Sequence, residues 1–210
     1  MPVDPLFAAF LSFTFVFVAT PGSTTAVVVR NTLDNGRRAG FFTAGGAALA
    51  NATHATVAGV GGATLLRLWP GALDVIRAIG AAYLAWLGLR SLWLAWQGQA
   101  PIVTALAEGH RAQHANFREG LAVNLFGPAT ITFYLTAVPT FIRPGWPSWA
   151  YAGLAACHVS MAFGCHATWV VALDRLRALF RRPGPRRLLG VATGLALLAL
   201  AARIFVSRPR

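Results

Sequence analysis

Six predominantly apolar stretches, roughly 6–29, 40–66, 70–96, 118–142, 148–172 and 187–206, divide the chain, and its charged residues gather between them. Each is near or above the roughly 20 residues that carry an α-helix across the hydrocarbon of a bilayer. The longest polar stretch, Gln97 to Arg118, separates three apolar stretches from three more and reads as a linker. The pattern predicts an all-α integral membrane protein of six transmembrane helices in a single polytopic domain, 1–210. Its parts are a first repeat of about 1–96, a linker of about 97–117 and a second repeat of about 118–210. An odd number of spans per half gives the halves opposite orientations, so the two three-helix units are expected to be inverted repeats.

Two of the apolar stretches are interrupted. Thr20-Pro21-Gly22-Ser23 breaks the first and Gly127-Pro128 breaks the fourth. A break at membrane depth frees backbone groups that hydrocarbon cannot satisfy, so it survives only when buried in protein or lining a cavity. Corresponding breaks in two halves point to a transporter's binding site. In the first, Thr20 is expected to cap a half-helix that Pro21 opens, while the carbonyl of Phe17 loses its intrahelical donor. Backbone N–H groups and the hydroxyls of Ser23 and Thr24 suit a carboxylate, and bare carbonyls suit an ammonium. A zwitterionic amino acid matches both. In the second break Pro128 frees the carbonyl of Asn124, and Gly127 permits close approach of backbone or ligand. The candidate substrate-binding residues are Phe17, Thr20, Pro21, Gly22, Ser23, Thr24, Asn51, Asn124, Gly127 and Pro128. A plain packing kink is the competing account of the breaks, and Asn51 and Asn124 serve helix stapling as well as they serve substrate contact.

Histidines inside apolar stretches are functional hypotheses by default. His54, which shares its stretch with Asn51, is the candidate for proton coupling; His158 and His166 read better as neutral imidazoles donating across helix interfaces. The second stretch carries small residues four apart, including Gly40/Ala44 and Gly46/Ala50, which let membrane helices approach closely and leave room for a homodimer. Cys157-His158 and Cys165-His166 are separated by about 12 Å of helix rise, too far for a disulfide or a shared metal ion. No metal, cofactor or catalytic constellation is expected, and an enzyme is a poor reading.

Composition narrows the class. Charged residues are 11% and hydrophobic residues 56% of the 210, far too apolar for a soluble domain, so lipid is the solvent. The net charge of +12 sits in loops rather than on a basic globular surface, which excludes nucleic acid as a partner. The first, third and fifth loops, with Arg30, Arg37, Arg38, Arg90, Arg111, Arg118 and the Arg175–Arg187 cluster, hold most of the arginines and are expected to be cytoplasmic. The acidic residues, Glu119 among them, fall at segment ends or in loops, so no carboxylate is expected at membrane depth.

Several motifs occur in a telling order: Thr20-Pro21-Gly22, then Gly36-Arg37-Arg38-Ala39-Gly40-Phe41, then Gly46 with His54 eight residues on. Gly80-Ala81-Ala82-Tyr83-Leu84-Ala85-Trp86-Leu87-Gly88 follows, then Phe117 and Gly120, and finally Val138-Pro139-Thr140-Phe141-Ile142. Together they resemble the lysine exporter (LysE/RhtB-type) family of bacterial amino-acid translocators over nearly the whole chain. The resemblance implies a multi-pass protein of the bacterial inner membrane that exports amino acids or similar small metabolites, driven by the proton gradient. It also implies that the Thr20-Pro21-Gly22 and Gly127-Pro128 regions line a central site. The chain departs from the family in Ser23, where a second proline is usual, and in Gly127-Pro128-Ala129, where Asn-Pro-Lys is usual. These departures leave open a second reading: a divergent membrane protein of the same fold that does not transport and has a structural or interaction role.

Overall fold

The protein is described here by a computed structural model covering residues 4–62, 71–97, 110–143, 146–147, 149–176 and 183–206. Regular structure among these residues is helical throughout. Helix α1 (Pro5–Ala19) begins where the Asp4 carboxylate accepts the Leu6 N–H at 2.9 Å and Pro5 opens the first turn. Helix α2 (Ser23–Asn35) follows at an angle of 53°. Gly36 alone separates α2 from α3 (Arg37–Val57), with φ 94° and ψ 178°, a conformation open only to glycine. A π turn, Ala58–Gly62, continues α3.

Helix α4 (Ala72–Trp96) ends the first half, and α5 (His110–Leu125) opens the second. Thus α5 starts inside the stretch read as linker; the part of that stretch from 98 to 109, like 177–182 of the arginine cluster, lies outside the described residues. Helix α6 (Pro128–Thr140) leaves α5 at 55°. It contains a π turn at Phe133–Ala137, where the Val138 N–H reaches back to the Phe133 carbonyl. Helices α7 (Trp149–Leu176) and α8 (Pro183–Val206) complete the chain.

Among the described residues each of the six apolar stretches therefore holds one long helix or one bent pair. Two helical segments among the described residues, Ala78–Trp96 and Trp149–Arg175, are long and apolar enough to cross a membrane alone, and each bent pair passes as one further span. Helix α3 falls short because Asn51, His54 and its threonines and glycines lower its hydropathy, and α8 offers only a shorter apolar segment, Gly190–Val206.

Among the described residues packing is organised around two larger interior clusters and a smaller one, Val28, Ala44 and Val170, where α2, α3 and α7 meet. Phe10, Phe133, Tyr134, Val138 and Leu154 join α1, α6 and α7. Val27, Leu84, Leu87, Val123 and Leu197 join α2, α4, α5 and α8. The outer surface remains apolar, with Phe15, Val16, Trp86, Leu89, Trp93 and Leu195 all exposed, as suits helices solvated by lipid. Helix α3 lies directly against α5: a Cβ on Gly46 would collide with the Phe117 carbonyl, and one on Gly120 with the Thr43 carbonyl. Of the small residues predicted to pack in the second stretch, Gly46 thus lies in a backbone-to-backbone seam between the halves of the chain, whereas Gly40 faces the side chains of Thr32 and Val170.

Candidate functional site

The two helix breaks meet. Asn124, in the last turn of α5, is 5% exposed and carries a hydrogen-bond network that draws on four helices. Its amide nitrogen donates to the Ala47 carbonyl at 2.8 Å and to Asn51 Oδ1 at 2.7 Å, both on α3. Its amide oxygen accepts the hydroxyls of Thr24 on α2, at 3.3 Å, and Thr130 on α6, at 3.0 Å. The partners dictate which amide atom is nitrogen, because a backbone carbonyl only accepts. The Asn124 backbone carbonyl, which Pro128 cannot reach with an N–H, lies 3.1 Å from the Gly127 N–H and 3.3 Å from His54 Nε2. A carbonyl partner requires that Nε2 carry a proton.

Among the predicted residues, Thr24, Asn51, His54, Asn124, Gly127 and Pro128 thus converge. Pro128 occupies the first position of α6 after Gly127, where its missing N–H costs nothing. Gly22 and Ser23 are half-buried at the start of α2, and a Cβ on Gly22 would meet nothing within 4 Å. Phe17 packs against the interior cluster of Phe10 and Tyr134, stacked on Phe133 at 4.7 Å.

The first break differs from expectation in detail. Thr20 does not cap α2. Its hydroxyl donates to the Val16 carbonyl at 2.8 Å and its N–H to the same carbonyl at 3.1 Å, so it closes α1 instead. Pro21 is exposed and lies outside both helices, and the capping position of α2 belongs to Gly22, which has no side chain to cap with. The N–H groups opening α2 are left without a side-chain cap, which back-bonding by Thr20 explains.

A second group adjoins the first. Tyr134, fully buried in the π turn of α6, shares a 2.7 Å hydrogen bond with His158 Nδ1 on α7. Tyr151 donates to the Tyr134 carbonyl at 3.0 Å. The His158 ring packs on Phe133 at 4.2 Å, and His54 faces Tyr134 at 6.3 Å. His158 therefore bridges two helices through one hydrogen bond, as a satisfied interior imidazole does. Sequence reasoning missed Thr130 and Tyr134. The signal for Thr130 was its place in the first turn after Pro128, as for Ser23 and Thr24 after Pro21; that for Tyr134 was its place four residues further on, on the same helix face.

A third departure concerns charge. Arg30, expected in a loop, is 4% exposed within α2, and Glu119, expected at a segment end, is 8% exposed within α5. They form an ion pair. The reason is local: α2 runs on to Asn35 because only Gly36 ends it, so Arg30 cannot reach a loop. Cys157 and Cys165 are free thiols, and among the described residues no group of His, Cys, Asp or Glu converges as metal ligands would.

Apolar helices solvated by lipid, two of them broken and joined at a buried polar centre, define a polytopic membrane protein of the transporter kind. The family model described as "LysE type translocator" matches residues 15–208, and the chain belongs to that family. The uncharacterized membrane protein YahN of Escherichia coli K12 is 30% identical over 97% of this chain and 88% of its own length. An uncharacterized membrane protein of Vibrio cholerae is 32% identical over 70% of this chain and 71% of its own. The leucine efflux protein of Salmonella typhimurium is 32% identical over 60% of this chain and 58% of its own. No solved structure matches. Membership makes the chain a multi-pass membrane translocator rather than an enzyme.

Proposed function

We propose that the protein exports an amino acid, or a closely similar metabolite, from the bacterial cytoplasm by alternating access, with six spans in two inverted three-helix repeats. The observation that carries this reading is the Asn124 amide, which ties both helix breaks to α3 at one buried point. The cargo carboxylate meets the uncapped N–H groups of α2 beside Gly22, Ser23 and Thr24. Its ammonium meets carbonyls near Phe17 and Asn124. His54, on the Asn124 carbonyl, handles the coupling proton. The ring stack of Phe17 and Phe133 offers an apolar wall beside the break, and a leucine exporter stands among the relatives, so aliphatic amino acids head the candidates.

The test is export of a panel of labelled amino acids from preloaded cells or inverted vesicles, with and without a proton gradient. Gradient-dependent movement of one or a few cargoes supports the reading; movement of none, with the protein present in the membrane, overturns it. The second reading, a non-transporting protein of the same fold, draws on Gly127 and Ala129 standing where the family usually has an amide and a cation. Substituting Gly127→Asn and Ala129→Lys separates the two: export gained by the double variant favours a retuned or decayed transporter.

A further inference from the structure

Arg30 and Glu119 lie apart from the Asn124 network, yet both are buried charged side chains, 4% and 8% exposed. The Arg30 guanidinium donates to Glu119 Oε1 and, at 3.2–3.3 Å, to Asn31 Oδ1. Asn31 Nδ2 donates to Glu119 Oε2 at 2.8 Å and to Thr43 Oγ1 at 3.0 Å, and Thr43 donates to the Ala39 carbonyl at 2.8 Å. Three helices are joined: α2 and α3 of the first half and α5 of the second. Both carboxylate oxygens are satisfied, and the surrounding backbones touch, since Gly120 abuts the Thr43 carbonyl and Gly46 the Phe117 carbonyl. Arg30 is eight residues past Gly22, about 12 Å along α2, and Glu119 is five residues before Asn124, about 7.5 Å along α5. The pair therefore lies toward one end of the place where the broken helices cross.

The opposite ends of the same broken helices are also tied by charge, but loosely. Arg143, just past α6, donates to Asp4 at 2.7 Å, and the side chains are 50% and 32% exposed. One end of the crossing is dry and interlocked, while the other is held by a solvated contact.

The geometry points to the Arg30–Glu119 pair as a gate that closes one side of the transport pathway and parts when that side opens. This assignment rests on the transporter reading. A permanent seam gains nothing from charge, because apolar side chains of similar volume hold a buried contact as well or better. An ion pair has a different property: its partners are stable together when dry and stable apart when hydrated. An apolar seam is stable only when shut. A contact that must break and re-form in each cycle calls for the first kind.

The gate is read with a thiol at Gly22, where an added side chain meets open space, in a background of Cys157→Ala and Cys165→Ser. A membrane-impermeant thiol reagent is applied to right-side-out and to inverted vesicles. With Arg30 and Glu119 intact, Gly22→Cys is expected to react from one face only. Glu119→Gln leaves the buried Arg30 charge without a counter-charge and draws water to it, so reaction from the second face should rise about tenfold, as expected when a minor open state becomes well populated. The charge-exchanged variant, Arg30→Glu with Glu119→Arg, should return labelling toward one face. If Glu119→Gln fails to accumulate in the membrane, Arg30→Gln with Glu119→Gln carries no lone charge and should still admit reagent from the second face. One-sided labelling in a neutralised variant, or two-sided labelling with the pair intact, overturns the gate. The assay needs no cargo, so a protein that exports no amino acid yet shows the shift keeps the gate and loses the amino-acid reading.

Discussion

At the scale of single residues, Asn124 is irreplaceable in a way its neighbours are not. It supplies two donors and accepts two hydroxyls, whereas Asn51 supplies one acceptor and Thr24 and Thr130 one donor each. Asn124→Ala removes the common partner of Asn51, Thr24 and Thr130, and each buried polar group left unsatisfied costs about 1–3 kcal/mol. Export should fall to background in Asn124→Ala, and fall less in Asn51→Ala, because the Ala47 carbonyl still receives the Asn124 amide. Quantifying efflux against the amount of each variant in the membrane checks the order; equal losses would make Asn51 more than a partner of Asn124. Thr20→Ala is expected to leave export nearly unchanged, since that hydroxyl only back-bonds to Val16 within α1. A Thr20→Ala variant without export would restore Thr20 to the site.

At the scale of elements, the glycines divide sharply by what faces them. Gly46→Ala and Gly120→Ala drive a methyl into the backbone of the facing helix, and overpacking of this kind costs roughly 1–3 kcal/mol or more. Gly153→Ala and Gly164→Ala meet nothing within 4 Å and remove flexible glycines from a helix interior, for a gain of up to about 1 kcal/mol. Thermal unfolding in detergent should therefore show a lowered melting temperature for the first pair and an equal or raised one for the second. The pattern would fail if Gly46→Ala melted with the unsubstituted protein. The bends belong to this scale as well. Proline and glycine make each break available, but the second is held where it is by the Asn124 network, which ties the end of α5 to the start of α6 through Thr130.

For the whole molecule, the number of spans decides the arrangement of the halves. If α3 and α8 cross the membrane beside the four candidate spans, three crossings separate the N-terminus from the stretch at 98–109, which then lies on the opposite face from both termini. If only the four cross, all three positions share a face. Reporter fusions at residue 104 and after residue 206, scored for cytoplasmic or external activity, separate the two arrangements. The inverted-repeat reading expects the fusions to report opposite faces.

Sequence alone determined which residues are apolar enough to form helices, where proline and glycine prevent a continuous one, and that the solvent is lipid. These are local properties: hydropathy, helix length and the missing N–H of proline do not depend on distant partners. It also singled out Thr24, Asn51, His54 and Asn124, because a polar side chain in an apolar run must find something to bond. What each of them bonds is a matter of tertiary structure. Thr24 and Asn124 are a hundred positions apart, and no periodicity encodes their contact. The same holds for Arg30 and Glu119, which read as loop and boundary charges until α2 is seen to run on to Gly36 and α5 to begin at His110. Tyr134 is drawn inward by partners no local pattern names, His158 and Tyr151 on α7. Burial of charge and pairing of polar groups are set by which helices pack together, and that choice is made by the interior surfaces of the assembled fold rather than by any one segment.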